Sequence, residues 1–288
     1  MQKSYVWRDP KQDRSVAVRV TFPREGTHLP IIVLSHDIIG SEDSMSPLVD
    51  YWADHGYAVF QPRHRDSFLN LPPGARPIPP MKRQMPDYRS RVRDCEFIYE
   101  VCRGIKKWIP ELNGRLDAKR IVQAGHSFGA HTTQMLGGML VQKKNLSSPI
   151  PTAFCSISPQ GAGGRDAQDW KSFHRPLMVV GGTKDFTPVD TEEVKAHPEA
   201  RQEPFKLSPA GDKFLVWIQD ASHNFGGITG DFSWPGAGRP NSLHVRIVQE
   251  STLAFFDAYT KDDQRQMRWL KSHLLAAETK GEAVITFR

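Results

Sequence analysis

Apolar and polar positions alternate along residues 5–7 and 15–22, where Val16, Val18, Val20 and Phe22 recur at every second position. A period of two predicts one or two antiparallel strands, at a sheet edge. Further on the pattern changes to short unbroken apolar runs, at 31–35, 56–60, 120–124, 152–157, 176–181 and 213–219. Runs of this length fit central parallel strands covered on both faces. Helical periods separate them. Residues 46–55 begin with Pro47 in the first turn, and residues 88–110 place Val92, Cys95, Ile98, Tyr99, Cys102, Ile105 and Trp108 on one stripe. Residues 130–140, 241–260 and 264–277 read as further helices. Strand, helix, strand in repeated order predicts an α/β fold, with a mostly parallel sheet and helices on both faces. No internal repeat or linker interrupts it, so one domain over 1–288 is expected. The Pro-rich segment 65–86 is long for a compact domain and reads as an active-site loop or partial lid. The Gly-rich stretch 161–164 reads as a mobile loop.

One junction in this pattern carries chemistry. The run 120–124 leads into Gly125, His126, Ser127, Phe128 and Gly129, and a helix follows at once. Strand, Gly-x-Ser-x-Gly, helix is the context of a nucleophile elbow. The chain must turn sharply and leave one side chain at the tip, and glycines on either side remove Cβ atoms from that turn. The helix amides behind Ser127 favour negative charge at the same place.

A serine hydroxyl needs a base, and the base needs an orienting acid. Asp185 follows the apolar run 176–181 and lies 58 residues beyond Ser127, room for one further strand and crossover. Asp190 is its rival. His223 follows the run 213–219 and lies 38 residues beyond Asp185. It is selected by position among 11 histidines. The order serine, acid, histidine is that of an α/β-hydrolase triad. The backbone amides of Phe128 and Ile38 are the expected oxyanion donors. His126 is expected to support the elbow rather than act chemically, with His36, His64 and His131 as supporting groups. Asp37, Ile39, Phe186, Phe225 and Trp234 are candidate pocket residues, and Phe68 and Trp170 further aromatics near the rim.

Composition narrows the partners. A content of 39% hydrophobic residues over 288 supports a substantial core. The net charge of +6 comes from 38 basic residues interleaved with 32 acidic ones, and no basic stripe with stacking aromatics points to nucleic acid. The densest positive region runs through Arg76, Lys82, Arg83, Arg89, Arg91 and Arg93, and reads as a solvated face. Of the three cysteines, Cys95 and Cys102 stand about 10 Å apart along one helix and cannot bond each other. A bridge from Cys155 has no support, which favours a reducing compartment. No apolar run is long enough to span a membrane, and the first residues lack a signal-peptide core. A cytoplasmic location is expected, or a secreted one if a leader has been trimmed. No metal-ligand pattern and no cofactor motif is present in the sequence.

The residues Leu34-Ser35-His36, the strand 56–59, Gly125 to Ala130, Gly181 to Asp185 and Ser222-His223 together resemble the serine α/β-hydrolases of the dienelactone-hydrolase-like and bacterial platelet-activating-factor-acetylhydrolase-like group. That group also includes polyester hydrolases and chlorophyllase-like enzymes. The resemblance implies an α/β-hydrolase fold and hydrolysis of a carboxylic ester through an acyl-enzyme. The rim aromatics and the Gly-rich stretch 226–238 point to small or aryl esters as substrates, and no cofactor is expected. Phospholipid-type and polyester substrates, a peptidase or amidase on the same triad, and a non-catalytic binding protein are the competing readings. The chain departs from the group at Asp37, where glycine is usual, and in the length of the Pro-rich segment.

Overall fold

The computed structural model describes residues 1–71, 88–161, 166–187, 190, 192–234 and 237–288. Most of the Pro-rich segment 65–86, three of the basic residues near it and most of the 161–164 loop lie outside them.

Among the described residues nine strands form one sheet: β1 (Gln2–Asp9), β2 (Arg14–Thr21), β3 (Leu29–Ser35), β4 (Ala58–Pro62), β5 (Leu116–His126), β6 (Ala153–Ile157), β7 (Leu177–Lys184), β8 (Lys213–Ser222) and β9 (Ala283–Phe287). Their spatial order is β1-β2-β4-β3-β5-β6-β7-β8-β9. The alternating N-terminal stretch is a hairpin, paired from Gln2 with Thr21 to Asp9 with Arg14. It is antiparallel to β4. From β4 to β8 all neighbours are parallel. β9 closes the far edge antiparallel to β8.

The unbroken apolar runs follow from two-sided burial. Successive side chains of a strand point to opposite faces. On β3, Ile31 and Val33 enter one apolar layer while Ile32 and Leu34 enter the other. The first layer is closed by α2 (Tyr88–Arg103), α3 (Ile105–Trp108), α4 (Phe128–Gly137) and α6 (Glu203–Leu207), which follows the short helix α5 (Glu192–Ala196). The second is closed by α1 (Ser46–Asp54), α7 (Ser242–Thr260), α8 (Gln264–Leu270) and α9 (Leu274–Glu278). Helices over both faces of a mostly parallel sheet, in this strand order, make the architecture that of an α/β hydrolase.

Three expectations change. The helix expected over 88–110 breaks at Gly104, whose amide still reaches the Glu100 and Val101 carbonyls before α3 restarts. The helix expected over 264–277 is two helices, with Ser272 accepting from the Leu274 amide at the start of the second. β9 was not anticipated. It is a short edge strand that buries only Ala283 fully, so it has almost no apolar signature. Cys95, Cys102 and Cys155 are free, buried thiols. Among the described residues no helix is long and apolar enough to cross a membrane.

Ile31 is fully buried at the centre of the sheet. Ile31→Ala leaves a cavity in a packed layer and is expected to cost about 2–5 kcal/mol. Urea unfolding monitored by tryptophan fluorescence measures it, and a loss below about 1 kcal/mol would mean that the layer collapses around the gap.

Candidate active site

Parallel strands end on one edge of a sheet, and ligands of such sheets gather there. Here β3, β5, β6, β7 and β8 deliver Ser35, Ser127, Ser158, Asp185 and His223 at or just beyond their C-terminal ends. Ser127 lies between β5 and α4 with φ 53° and ψ −118°. A non-glycine residue held there carries strain of about 1–3 kcal/mol. Its amide donates to the Ile157 carbonyl at 2.9 Å and its carbonyl accepts from His131 in the first turn of α4. The flanking glycines are required by close approach. A Cβ on Gly125 would lie 2.2 Å from the Gly129 carbonyl oxygen, and one on Gly129 would lie 1.9 Å from the Ser35 carbonyl oxygen. The elbow is therefore packed backbone to backbone against the end of β3.

Asp185 and His223 meet. His223 Nδ1 is 2.8 Å from Asp185 Oδ1, and both groups are buried. Ser158 joins them: its hydroxyl donates to Asp185 Oδ1 at 2.7 Å and lies 2.7 Å from His223 Nδ1. Burial alone would raise the Asp185 carboxyl. The Arg201 guanidinium and the hydrogen bonds from His223 and Ser158 outweigh it and hold the carboxyl below the usual carboxylate range. Arg201 is itself buried and binds the Asp185 and Pro159 carbonyls. Asp190, the rival acid, is taken up elsewhere, by Arg201 at 3.0 Å and the Thr187 amide at 2.6 Å. His126 donates from Nε2 to the His223 carbonyl at 2.9 Å, and the two rings lie 4.8 Å apart. Burial, reinforced by the charge of His223, pushes His126 down to about 3, so it stays neutral. It supports the His223 backbone.

The loop after β3 passes over the same edge. Neither the Ile38 nor the Phe128 amide has an acceptor among the described residues. Ile39 has φ 60°, its amide 3.4 Å from Asp66 Oδ2 and its carbonyl accepting from the Phe68 amide. Asp37 is only half-buried, with its carboxylate over Gly40. Burial pushes it up to about 6, against the pull of Arg91 and His223.

Beneath this loop lies a second serine–histidine–aspartate alignment. His64 Nε2 is 2.8 Å from Ser35 Oγ, and its Nδ1 is 2.9 Å from Asp94 Oδ2. Ser35, His64 and Asp94 are all inaccessible to solvent, so the alignment has no access to a substrate and braces the loop. Arg91, expected on a solvated face, is 1% exposed and paired with Asp66. Arg93 is mostly covered and binds Asp9 and Glu100. Asp66 would be raised by burial, yet Arg91 holds it far below the usual carboxylate range.

The expected pocket residues divide. Trp234 stands edge-on to His223 at 6.0 Å, and Phe186 and Phe68 are exposed near the rim. Phe225 is wholly buried in the core. Trp170 is also fully buried, donating to Gln134 at 2.8 Å. His131 is buried and stacks on Phe128. Ser158, Arg91, Arg201 and the exposed Phe232 were missed. A serine at the end of the strand between those bearing Ser127 and Asp185 was the available signal for Ser158. Among the described residues no cluster of His, Cys, Asp or Glu is arranged to hold a metal.

Gly129→Ala forces a methyl group into the Ser35 carbonyl and is expected to lower stability by about 1–3 kcal/mol, measured by urea unfolding. A neutral result would place the elbow away from β3. For Asp37 the folded state holds the proton more tightly than the unfolded chain, so stability falls as pH rises between about 4 and 6. Asp37→Asn removes that loss. Its advantage over the parent is expected to grow across this window in melting scans at fixed ionic strength, and a pH-independent difference would contradict it.

No family model matches the chain. It is similar to Cutinase est1 of Thermobifida alba, at 22% identity over 213 residues. The match covers 73% of this chain and 58% of the relative, so the chain spans little more than half of that protein's length. The likeness and the sheet order support the broad α/β-hydrolase superfamily and do not single out the dienelactone-hydrolase-like group.

Proposed function

We propose that the protein is a serine hydrolase of carboxylic esters acting through an acyl-enzyme on Ser127. The observation that carries this reading is the buried Asp185–His223 pair on the same sheet edge as the strained Ser127 elbow. Asp185 and Ser158 occupy His223 Nδ1, which leaves Nε2 for the serine. His223 takes the Ser127 proton as the hydroxyl attacks the ester carbonyl. Asp185 holds the ring in the required tautomer and stabilises the imidazolium. The Phe128 and Ile38 amides, which meet no acceptor among the described residues, receive the oxyanion. His223 then gives its proton to the leaving alcohol and activates water for deacylation. The name of the relative, a cutinase, favours ester over amide bonds.

Small or aryl esters fit best. Phe68, Phe186 and Phe232 are exposed, and Trp234 lies beside His223. The same exposed aromatics and the cutinase likeness favour a polymeric ester as the second reading.

Ser127→Ala is expected to abolish turnover of a short-chain nitrophenyl ester while its circular dichroism and melting remain those of the parent. Unchanged turnover would remove the proposal. Asp185→Asn is expected to lower kcat by about 10⁴-fold through the wrong tautomer, and Asp190→Asn by far less. The reverse ranking would reassign the acid.

A further inference from the structure

We infer that Arg91 and His36 form a clamp on the Asp37 carbonyl that aims the Ile38 N–H into the site as an oxyanion donor. The inference rests on the serine-hydrolase reading above. Arg91 Nη2 donates to the Asp37 carbonyl at 2.9 Å, and His36 Nδ1 lies 2.7 Å from the same oxygen. The His36 tautomer is set by its other nitrogen. Nε2 accepts from the His64 amide at 3.0 Å, so the ring proton sits on Nδ1 and is donated to Asp37. Burial holds His36 well below its ordinary range, which keeps the ring neutral and Nε2 an acceptor.

A trans peptide is planar, with its carbonyl and N–H pointing in opposite directions. No cis peptide occurs among the described residues. Two donors gripping the Asp37 oxygen from below therefore turn the Ile38 N–H away from them, where it meets no acceptor among the described residues. Donors on the carbonyl also polarise the peptide and strengthen its N–H.

Arg91 is fixed on every side. Nη1 donates to the His36 carbonyl at 2.7 Å, and Nε and Nη2 bind the two Asp66 oxygens at 2.9 and 2.5 Å. The guanidinium lies 4.7 Å from the centre of the Phe128 ring. One rigid planar cation thus grips the Asp37–Ile38 peptide by its carbonyl and lies over the Phe128 ring. Lysine cannot reproduce this, because its ammonium is a point donor without a fork. The loop needs such fixing: Ile39 is β-branched and sits at φ 60°, a conformation that persists only when its surroundings over-determine it. Arg91 and His36 are positioning residues in this scheme. Neither is assigned a contact with substrate.

The test compares the parent, Arg91→Met, Arg91→Lys, His36→Leu and His36→Asn with a nitrophenyl ester, and measures inhibition by an aryl trifluoromethyl ketone. Ser127→Ala is the control. Loss of one oriented oxyanion donor costs about 10²–10³-fold in kcat. Arg91→Met is expected to lose about 10²-fold in kcat with KM changed by less than about threefold. Its affinity for the ketone, which becomes a tetrahedral adduct, is expected to fall in parallel. Arg91→Lys should recover only part of the loss. His36→Asn, which keeps a donor near the Nδ1 position, should exceed His36→Leu. The His36 pair also serves if the Arg91 variants fail to fold. Folded variants with kcat within about threefold of the parent, beside an inactive Ser127→Ala, would overturn the clamp and leave the serine reading intact. A loss in KM alone would overturn it too, by making Arg91 a binding-site support. Turnover that survives Ser127→Ala would overturn both.

Discussion

The site is built on a close approach of backbone to backbone. Gly129 presses against the end of β3, and Gly125 against Gly129, at distances that exclude even one methyl group. This contact lets β5 turn into α4 within one residue and leaves Ser127 in its strained, positive-φ conformation. It also brings the Ser35 and His36 carbonyls against the first turn of α4. The register of the central strands then determines what else arrives: Lys184 pairs with Ser222, so Asp185 and His223 leave their strands at neighbouring positions, and Ser158 follows β6 at the same edge. The elbow conformation is unfavourable in isolation. It persists because strands on both sides and a wholly buried helix face over-determine it.

The second constraint is electrostatic. An unpaired buried charge is costly, and this edge buries several charged groups. Each has a partner: Asp185 with His223 and Arg201, Asp66 with Arg91, Asp94 with Arg14 and His64. His36 and His126, deep between these pairs, are kept neutral and serve as directed hydrogen-bond groups. Two layers of polar support result. One holds Asp185 and His223 from the β6–β8 side, through Ser158, Arg201 and His126. The other holds the loop after β3, through Arg91, His36 and His64. Asp37 is the exception: among the described residues it forms no ion pair, and burial raises its proton affinity.

The features legible in the sequence were local ones. The elbow is five consecutive residues with a strand before and a helix after, and Asp185 and His223 each follow an apolar run. Strand alternation and two-sided burial likewise give distinct patterns, so the order of the main elements could be read. What could not be read depends on tertiary juxtaposition. Arg91 sits in a run with Arg89 and Arg93 that resembles a solvated helix face. Yet α2 buries Ser90, Arg91 and Asp94 in addition to its apolar stripe, because Arg91 binds the loop after β3 and Asp94 binds His64. Phe225 resembles a rim aromatic, but the turn after His223 folds it into the core. Ser158 has no motif at all, and only the position of β6 between β5 and β7 gives it a role. The helix breaks at Gly104 and Ser272 fall where an apolar stripe continues across the gap, so periodicity alone reads through them.

The central claim is that Ser127 is the acyl-accepting nucleophile. Its most direct test is intact-protein mass spectrometry after exposure to a fluorophosphonate, followed by peptide mapping of the adduct. The account predicts a single stoichiometric adduct on the peptide bearing Ser127, suppressed by prior unfolding. No adduct on the folded protein, or one on another serine, would contradict it.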